Sequence, residues 1–171
     1  MKKVLVTISG KLLMTAQQQE EEGKRKKKTY GVEDAKKRLY FDEDGNKVFP
    51  SLYISAVLRE AGKNFKYEGK KSYMQMIRAM IRVNPTWIKI TPQENEVYES
   101  FVRIPPRTGA RVKAYRPLFK NWSATFEITI LDDDIAPEQI KEILQYGGSF
   151  FGIGDRRPEF GQFEVASFEV Q

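Results

Sequence analysis

Hydrophobic and polar residues alternate near the start of the chain, with Val4, Val6 and Ile8 on one side and Leu5 and Thr7 on the other. With β-branched residues dominating, the pattern over 3–14 predicts a half-buried strand. The clearest alternation lies at 122–131, where Trp122, Ala124, Phe126, Ile128 and Ile130 interleave with Ser123, Thr125, Glu127 and Thr129. One face of that strand suits a core and the other suits water. Helical spacing occurs three times. Ser51 precedes Leu52, Ile54, Ala56, Val57, Leu58 and Ala61, and Gly62 suits the position after the last turn. A second helix is predicted over 72–83, with Met74, Ile77, Met80 and Ile81 inward, Arg78 and Arg82 outward, and Asn84-Pro85 as its end. The third opens at Pro137 and turns Ile140, Ile143 and Leu144 inward, with Gly147-Gly148 as its stop.

Residues 39–49 read as a hairpin turning at 42–46, and 87–90 and 163–170 read as strands. Two further strands are expected over 97–116, joined around Pro105-Pro106-Arg107-Thr108-Gly109, where proline and glycine force a turn. Residues 17–29, QQQEEEGKRKKKT, contain no apolar side chain, so a flexible insertion is expected there, with five consecutive cations at 24–28. Without the 97–116 hairpin the order is β-α-β-β-α-β, the ferredoxin-like or split βαβ arrangement. The expectation is therefore an α+β fold forming a single domain over 1–171. Its antiparallel sheet carries both helices on one face, and a basic hairpin is inserted. RNA-recognition modules (RRM) of this architecture stack bases on the other face.

Composition narrows the chemistry. The 171 residues hold 29 Lys and Arg against 23 Asp and Glu, a net charge of +6, which favours a polyanionic partner. There is no His and no Cys, which removes histidine bases, Ser-His-Asp and Cys-His nucleophiles, Cys/His zinc sites and disulfides. Thr7, Ser9, Gly10 and Lys11 interrupt the first apolar run before it reaches signal-peptide length, and no stretch reaches membrane-spanning length. A cytoplasmic protein without cofactor or metal is expected.

The segment 101–120 carries Arg103, Arg107, Arg111, Lys113, Arg116 and Lys120 and no carboxylate, with Tyr115, Phe119 and Trp122 interleaved at its end. Cations that neutralise phosphates beside rings that stack bases are what single-stranded nucleic acid requires. The alternative is a solvated hairpin whose aromatics belong to the core. A second segment, 147–161 (GGSFFGIGDRRPEFG), surrounds Arg156 and Arg157 with five glycines. Glycines admit close approach of backbone N–H groups to an anion, and paired arginines add forked donors, so Gly152, Gly154, Arg156 and Arg157 are candidate contacts. Neither a P-loop nor a dinucleotide fingerprint is present, and a helix stop accounts for Gly147 and Gly148. Asp132, Asp133 and Asp134 sit where a helix start favours anions, although with Asp155 they also form the one metal-nuclease constellation available.

A basic hairpin inserted in a ferredoxin-like domain, with a Gly-rich loop between the last helix and last strand, resembles the RAMP superfamily of CRISPR-associated proteins. The hairpin at 97–116 resembles the thumb of the backbone subunits that polymerise along a guide RNA, and 147–161 matches their Gly-rich loop in position and composition. The resemblance implies a non-catalytic RNA-binding subunit of an antiviral ribonucleoprotein, assembling side by side with copies or other subunits. The superfamily's repeat-RNA endonucleases often use a catalytic His, which this chain lacks. The pattern FGIGDRRPEFGQFEV is similar as well to small uncharacterised proteins of phages and mobile elements. An inhibitor or assembly subunit that meets an acidic protein is the corresponding rival.

Overall fold

The computed structural model describes residues 1–17, 31–104 and 106–171. The insertion expected at 17–29 lies outside the described residues from 18 onward, as does its cationic run. In chain order the strands are β1 (Lys2–Met14), β2 (Tyr40–Phe41), β3 (Lys47–Pro50), β4 (Lys66–Glu68), β5 (Lys71–Ser72), β6 (Ile81–Asn84), β7 (Trp87–Lys89), β8 (Glu96–Ile104), β9 (Ala110–Ile130) and β10 (Glu164–Val170). The helices are α1 (Leu52–Gly62), α2 (Tyr73–Met80) and α3 (Pro137–Phe150). Short 3-10 turns at Val32–Asp34 and Lys36–Arg38 lie against β9.

The main sheet is antiparallel, in the order β10-β1-β9-β6, with β8 also paired to β9. Val4, Val6 and Ile8 of β1 are fully buried because they align with Ile128, Phe126 and Ala124 of β9, making one continuous apolar face. Ile54, Val57 and Leu58 of α1 and Ile140, Ile143 and Leu144 of α3 close over that face in a single cluster. The opposite face carries Lys3, Leu5, Thr7 and Ser9 of β1, Ser123, Thr125, Glu127 and Thr129 of β9, Ser167 and Glu169 of β10, and Arg82 of β6. No aromatic ring lies among these residues. These residues therefore offer no ring for base stacking of the kind that RNA-recognition modules use on this face. A small sheet, β2-β3-β7, packs beside the main one through Phe49 and Ile88, and β4 and β5 form a separate hairpin.

Three boundaries differ from the periodicity. The second helix ends at Met80, and Ile81–Asn84 is strand β6, paired with β9 from Ile81↔Ile130 to Asn84↔Glu127. Ile81 and Val83 alternate with Arg82 and Asn84, a pattern that fits either period over so few residues, and pairing decides it. The strands expected at 97–116 and 122–131 are joined, because β9 runs unbroken for 21 residues and bends at Asn121, whose φ is 47°. Pairing of Leu12, Leu13 and Met14 with Lys120, Phe119 and Leu118 carries the strand through a stretch whose own pattern is irregular. The third helix does not stop at Gly147-Gly148 but continues to Phe150, with both glycines buried. A Cβ on Gly147 would sit 2.9 Å from Val57, and one on Gly148 would sit 2.7 Å from the Phe163 ring, so close packing is what these positions require.

Candidate nucleic-acid interface

The hairpin of β8 and β9 projects beyond the end of β1. The last pairing with β1 is Met14↔Leu118, whereas β8 and β9 stay in register from Glu96↔Leu118 to Ile104↔Ala110. Partners in an antiparallel pair share a face. Glu99, Tyr115, Phe101, Lys113, Arg103 and Arg111 therefore occupy one face of the hairpin, and Tyr98, Arg116, Ser100 and Ala114 the other.

On the first face, the Arg111 guanidinium lies 4.4 Å above the ring of Phe101, which is 50% exposed. Arg103 donates to the Gly109 carbonyl at 3.5 Å, and Arg107 stands at the turn with φ 73°. Among the described residues, none of Arg103, Arg107 and Arg111 has a carboxylate partner. Lys113 and Lys120 differ. Lys113 pairs with Glu99 at 3.3 Å and Lys120 with Glu96 at 2.9 Å, so acids from β8 offset part of the charge imbalance read from 101–120 alone. Tyr115 is half-buried, opposite Glu99. Phe119 and Trp122 have almost no exposed surface and belong to the core. This corrects the expectation for Phe119, which is too buried to stack a base, whereas the ring of Phe101 is half exposed.

The second face carries contacts to the Gly-rich loop. Arg116 donates from Nε to Asp155 Oδ2 at 2.9 Å, in a pair whose side chains are 18% and 29% exposed. Arg156 donates to the Ser100 hydroxyl and lies 6.0 Å from the Tyr98 ring. Phe160 meets Tyr98 edge-on at 5.3 Å. The fold thus brings the two segments singled out by composition into contact, and in doing so turns Arg116 and Arg156 toward the protein. Arg157 is exposed, with no partner recorded among the described residues, while Glu127 pairs with Lys3 at 3.2 Å.

Glycines of the loop have φ of 70° at Gly152, 81° at Gly154 and 87° at Gly161, all in the left-handed region. What approaches them closely is the chain itself. A Cβ on Gly152 would lie 2.8 Å from the Gly161 backbone, and one on Gly154 would collide with the Met14 carbonyl oxygen. Gly161 donates its N–H to Leu12 O at 2.7 Å, Asp155 to Met14 O at 2.9 Å, and Gly152 to Gly147 O at 2.9 Å. These three N–H groups already have acceptors within the chain. Tyr53, stacked on Phe49, has its hydroxyl pKa raised by burial first, then by the hydrogen bond with Tyr40, with a smaller contribution from the Asp155 carboxylate.

Asp133 binds the N-terminal amine, and Asp132 accepts the Asp134 N–H at 2.9 Å. Asp155 sits beyond the other end of β1, bonded to Met14. Thirteen residues of strand separate the two ends, a span of roughly 40 Å, so the four carboxylates of the nuclease constellation are not brought together. No group of three potential metal ligands occurs among the described residues. A groove of about 750 Å³, lined in part by Ser9, Lys11, Asn121, Glu159 and Gln162, includes no residue of the hairpin's cationic face. No helix among the described residues is long and apolar enough to cross a membrane.

No family model matches the chain, and no curated protein matches it. Among solved structures, it is similar to a chain of a cryo-EM structure of the type III-B Cmr-beta bound to cognate target RNA, with a TM-score of 0.57 and 14% identity. The match covers 99% of this chain and 60% of that chain, and at this identity the likeness is one of fold.

Proposed function

We propose that this chain is a non-catalytic module that binds single-stranded nucleic acid, RNA over DNA, along the outward face of the β8–β9 hairpin. It would act as one subunit of a ribonucleoprotein, beside copies of itself or other subunits. The observation that carries this reading is the group of Arg103, Arg107 and Arg111 around an exposed Phe101, without a carboxylate partner among the described residues. Three unpaired cations on a projecting ribbon can follow a sugar-phosphate backbone, and a guanidinium resting on a ring offers a flat surface for a base. The likeness to a chain of an RNA-bound Cmr-beta structure supports RNA as the polymer and a CRISPR-like effector as the setting. The order β10-β1-β9-β6, with α1 and α3 over one face, supports the ferredoxin-like reading. Separation of Asp155 from the 132–134 triplet supports a binding role over a nuclease one.

The test is the affinity of the full chain for a labelled oligouridylate across a salt series. Each phosphate contact contributes about 0.7 to the log-log slope on single strands, so Arg103→Ala, Arg107→Ala and Arg111→Ala together should flatten it by about 2 with the melting temperature unchanged. Absence of binding to any RNA or DNA oligomer at low salt overturns the reading.

A further inference from the structure

We infer that Asp155 is a positioning residue that fixes the angle at which the β8–β9 hairpin leaves the sheet, and that Arg116 acts through Asp155 and not on phosphate. The inference rests on the function proposed above for what the angle is needed for, while the geometry stands independently of it. Among the described residues no third strand pairs with the hairpin beyond Leu118, and a two-stranded ribbon twists and bends easily. The loop fastens it, beside the 3-10 turns that lie against β9, and Asp155 joins three parts of the loop's hold. One carboxylate oxygen accepts Arg116 Nε at 2.9 Å, the other accepts the Arg156 N–H at 3.0 Å, and its own N–H donates to Met14 O at 2.9 Å. A single residue thus ties β9, the end of β1 and the loop that carries Arg156 onto Ser100. The bond to Arg116 is charge-assisted and partly shielded from water, which makes it stronger than a surface pair. The Arg116 guanidinium also donates from Nη1 to the Tyr115 carbonyl at 3.1 Å, so its orientation is set by the protein on two sides.

The chain has no cysteine, so a pair of introduced cysteines can be spin-labelled without background. Labels at Thr108→Cys on the hairpin turn and Gln145→Cys on α3 report the hairpin's angle, and Thr125→Cys with Gln145→Cys reports sheet against helix. Both positions of each pair are exposed. Asp155→Asn, and separately Arg116→Met, should broaden the hairpin distance distribution and leave the control distribution narrow. An unchanged hairpin distribution overturns the inference, and so does equal broadening of both pairs, which would make the bond part of general stability. Affinity supplies the second arm. Each single variant should weaken oligouridylate binding by on the order of tenfold, and the double variant should be no weaker than either, because both break one bond. A further loss on adding Arg116→Met to Asp155→Asn would place Arg116 on the phosphate and overturn its assignment. If the unsubstituted chain binds no RNA, the proposed function fails, and the label distances alone still decide whether Asp155 holds the hairpin.

Discussion

In the β8–β9 hairpin, backbone groups pair within the ribbon and arginine side chains project outward, with Phe101 half exposed beneath Arg111. In the loop from 151 to 163 the pattern is reversed: N–H groups of Gly152, Asp155 and Gly161 bind carbonyls of the same chain, and Arg156 reaches back to Ser100. Both regions combine arginine with residues that allow close approach. The difference lies in what is left without a partner. On its outward face the ribbon leaves Arg103, Arg107 and Arg111 exposed, so their charges are available to a polyanion. A glycine-rich loop pressed against the end of β1 must satisfy its own backbone, since an unpaired buried N–H costs about as much as a lost hydrogen bond.

The sharpest way to break the comparison is to damage each region and ask which property falls. Gly161→Ala would place a Cβ against the Ile153 carbonyl oxygen in a left-handed backbone, and should lower unfolding free energy by on the order of 4 kcal/mol in urea denaturation. Affinity per folded molecule should be unchanged. Retained stability with lost affinity and an unchanged Thr108–Gln145 label distance would mean that the loop's backbone meets ligand after all, and the contrast with the hairpin would collapse.

Much of this contrast was legible in the residues, and the reasons for the rest are local. Alternation located β1 and the second half of β9, because a face buried under helices leaves a strict period of two. The turn centred on Arg107 already places Phe101 and Arg103 on the same face as Arg111 and Lys113, so Phe101 could have been found by counting outward from it. Phe119 misled because its neighbours are cations, although pairing with Leu13 carries it into the core. The partners of Arg116, Lys113 and Lys120 were out of reach, since Asp155, Glu99 and Glu96 lie 39, 14 and 24 residues away in the chain and meet them only through tertiary pairing. Gly152 and Gly154 read as positions of close approach, but a sequence does not say whether a ligand or the chain itself approaches.

A smaller effect sharpens the hairpin side. Phe101→Ala removes the ring beneath Arg111 from a half-exposed position, so stability should move by less than about 0.5 kcal/mol. Affinity for oligouridylate should fall by about 1 to 3 kcal/mol, the usual range for one stacked base, with the salt slope preserved because no charge is lost. Equal loss of slope and affinity would show that Phe101 serves only to hold Arg111 against phosphate.

The smallest expected effect separates paired from unpaired cations along β9, within the hairpin at Lys113 and at its base at Lys120. Lys113 and Lys120 are each about half exposed, and their bridges to Glu99 and Glu96 are surface pairs worth at most about 1 kcal/mol. Removing either lysine leaves a carboxylate whose field opposes a polyanion, yet the net change at the outward face is one charge already half neutralised. Lys113→Ala or Lys120→Ala should therefore lower oligouridylate affinity by only about two- to threefold at low salt. The converse variants carry more information. Glu99→Gln and Glu96→Gln release the lysines, and if these then reach phosphate the salt slope should steepen by up to about 0.7 for each. A slope that stays flat while affinity rises would mean that the acids act by general repulsion. A Lys113→Ala loss as large as that of the triple arginine variant would show that pairing in the free protein does not predict which cations the nucleic acid uses.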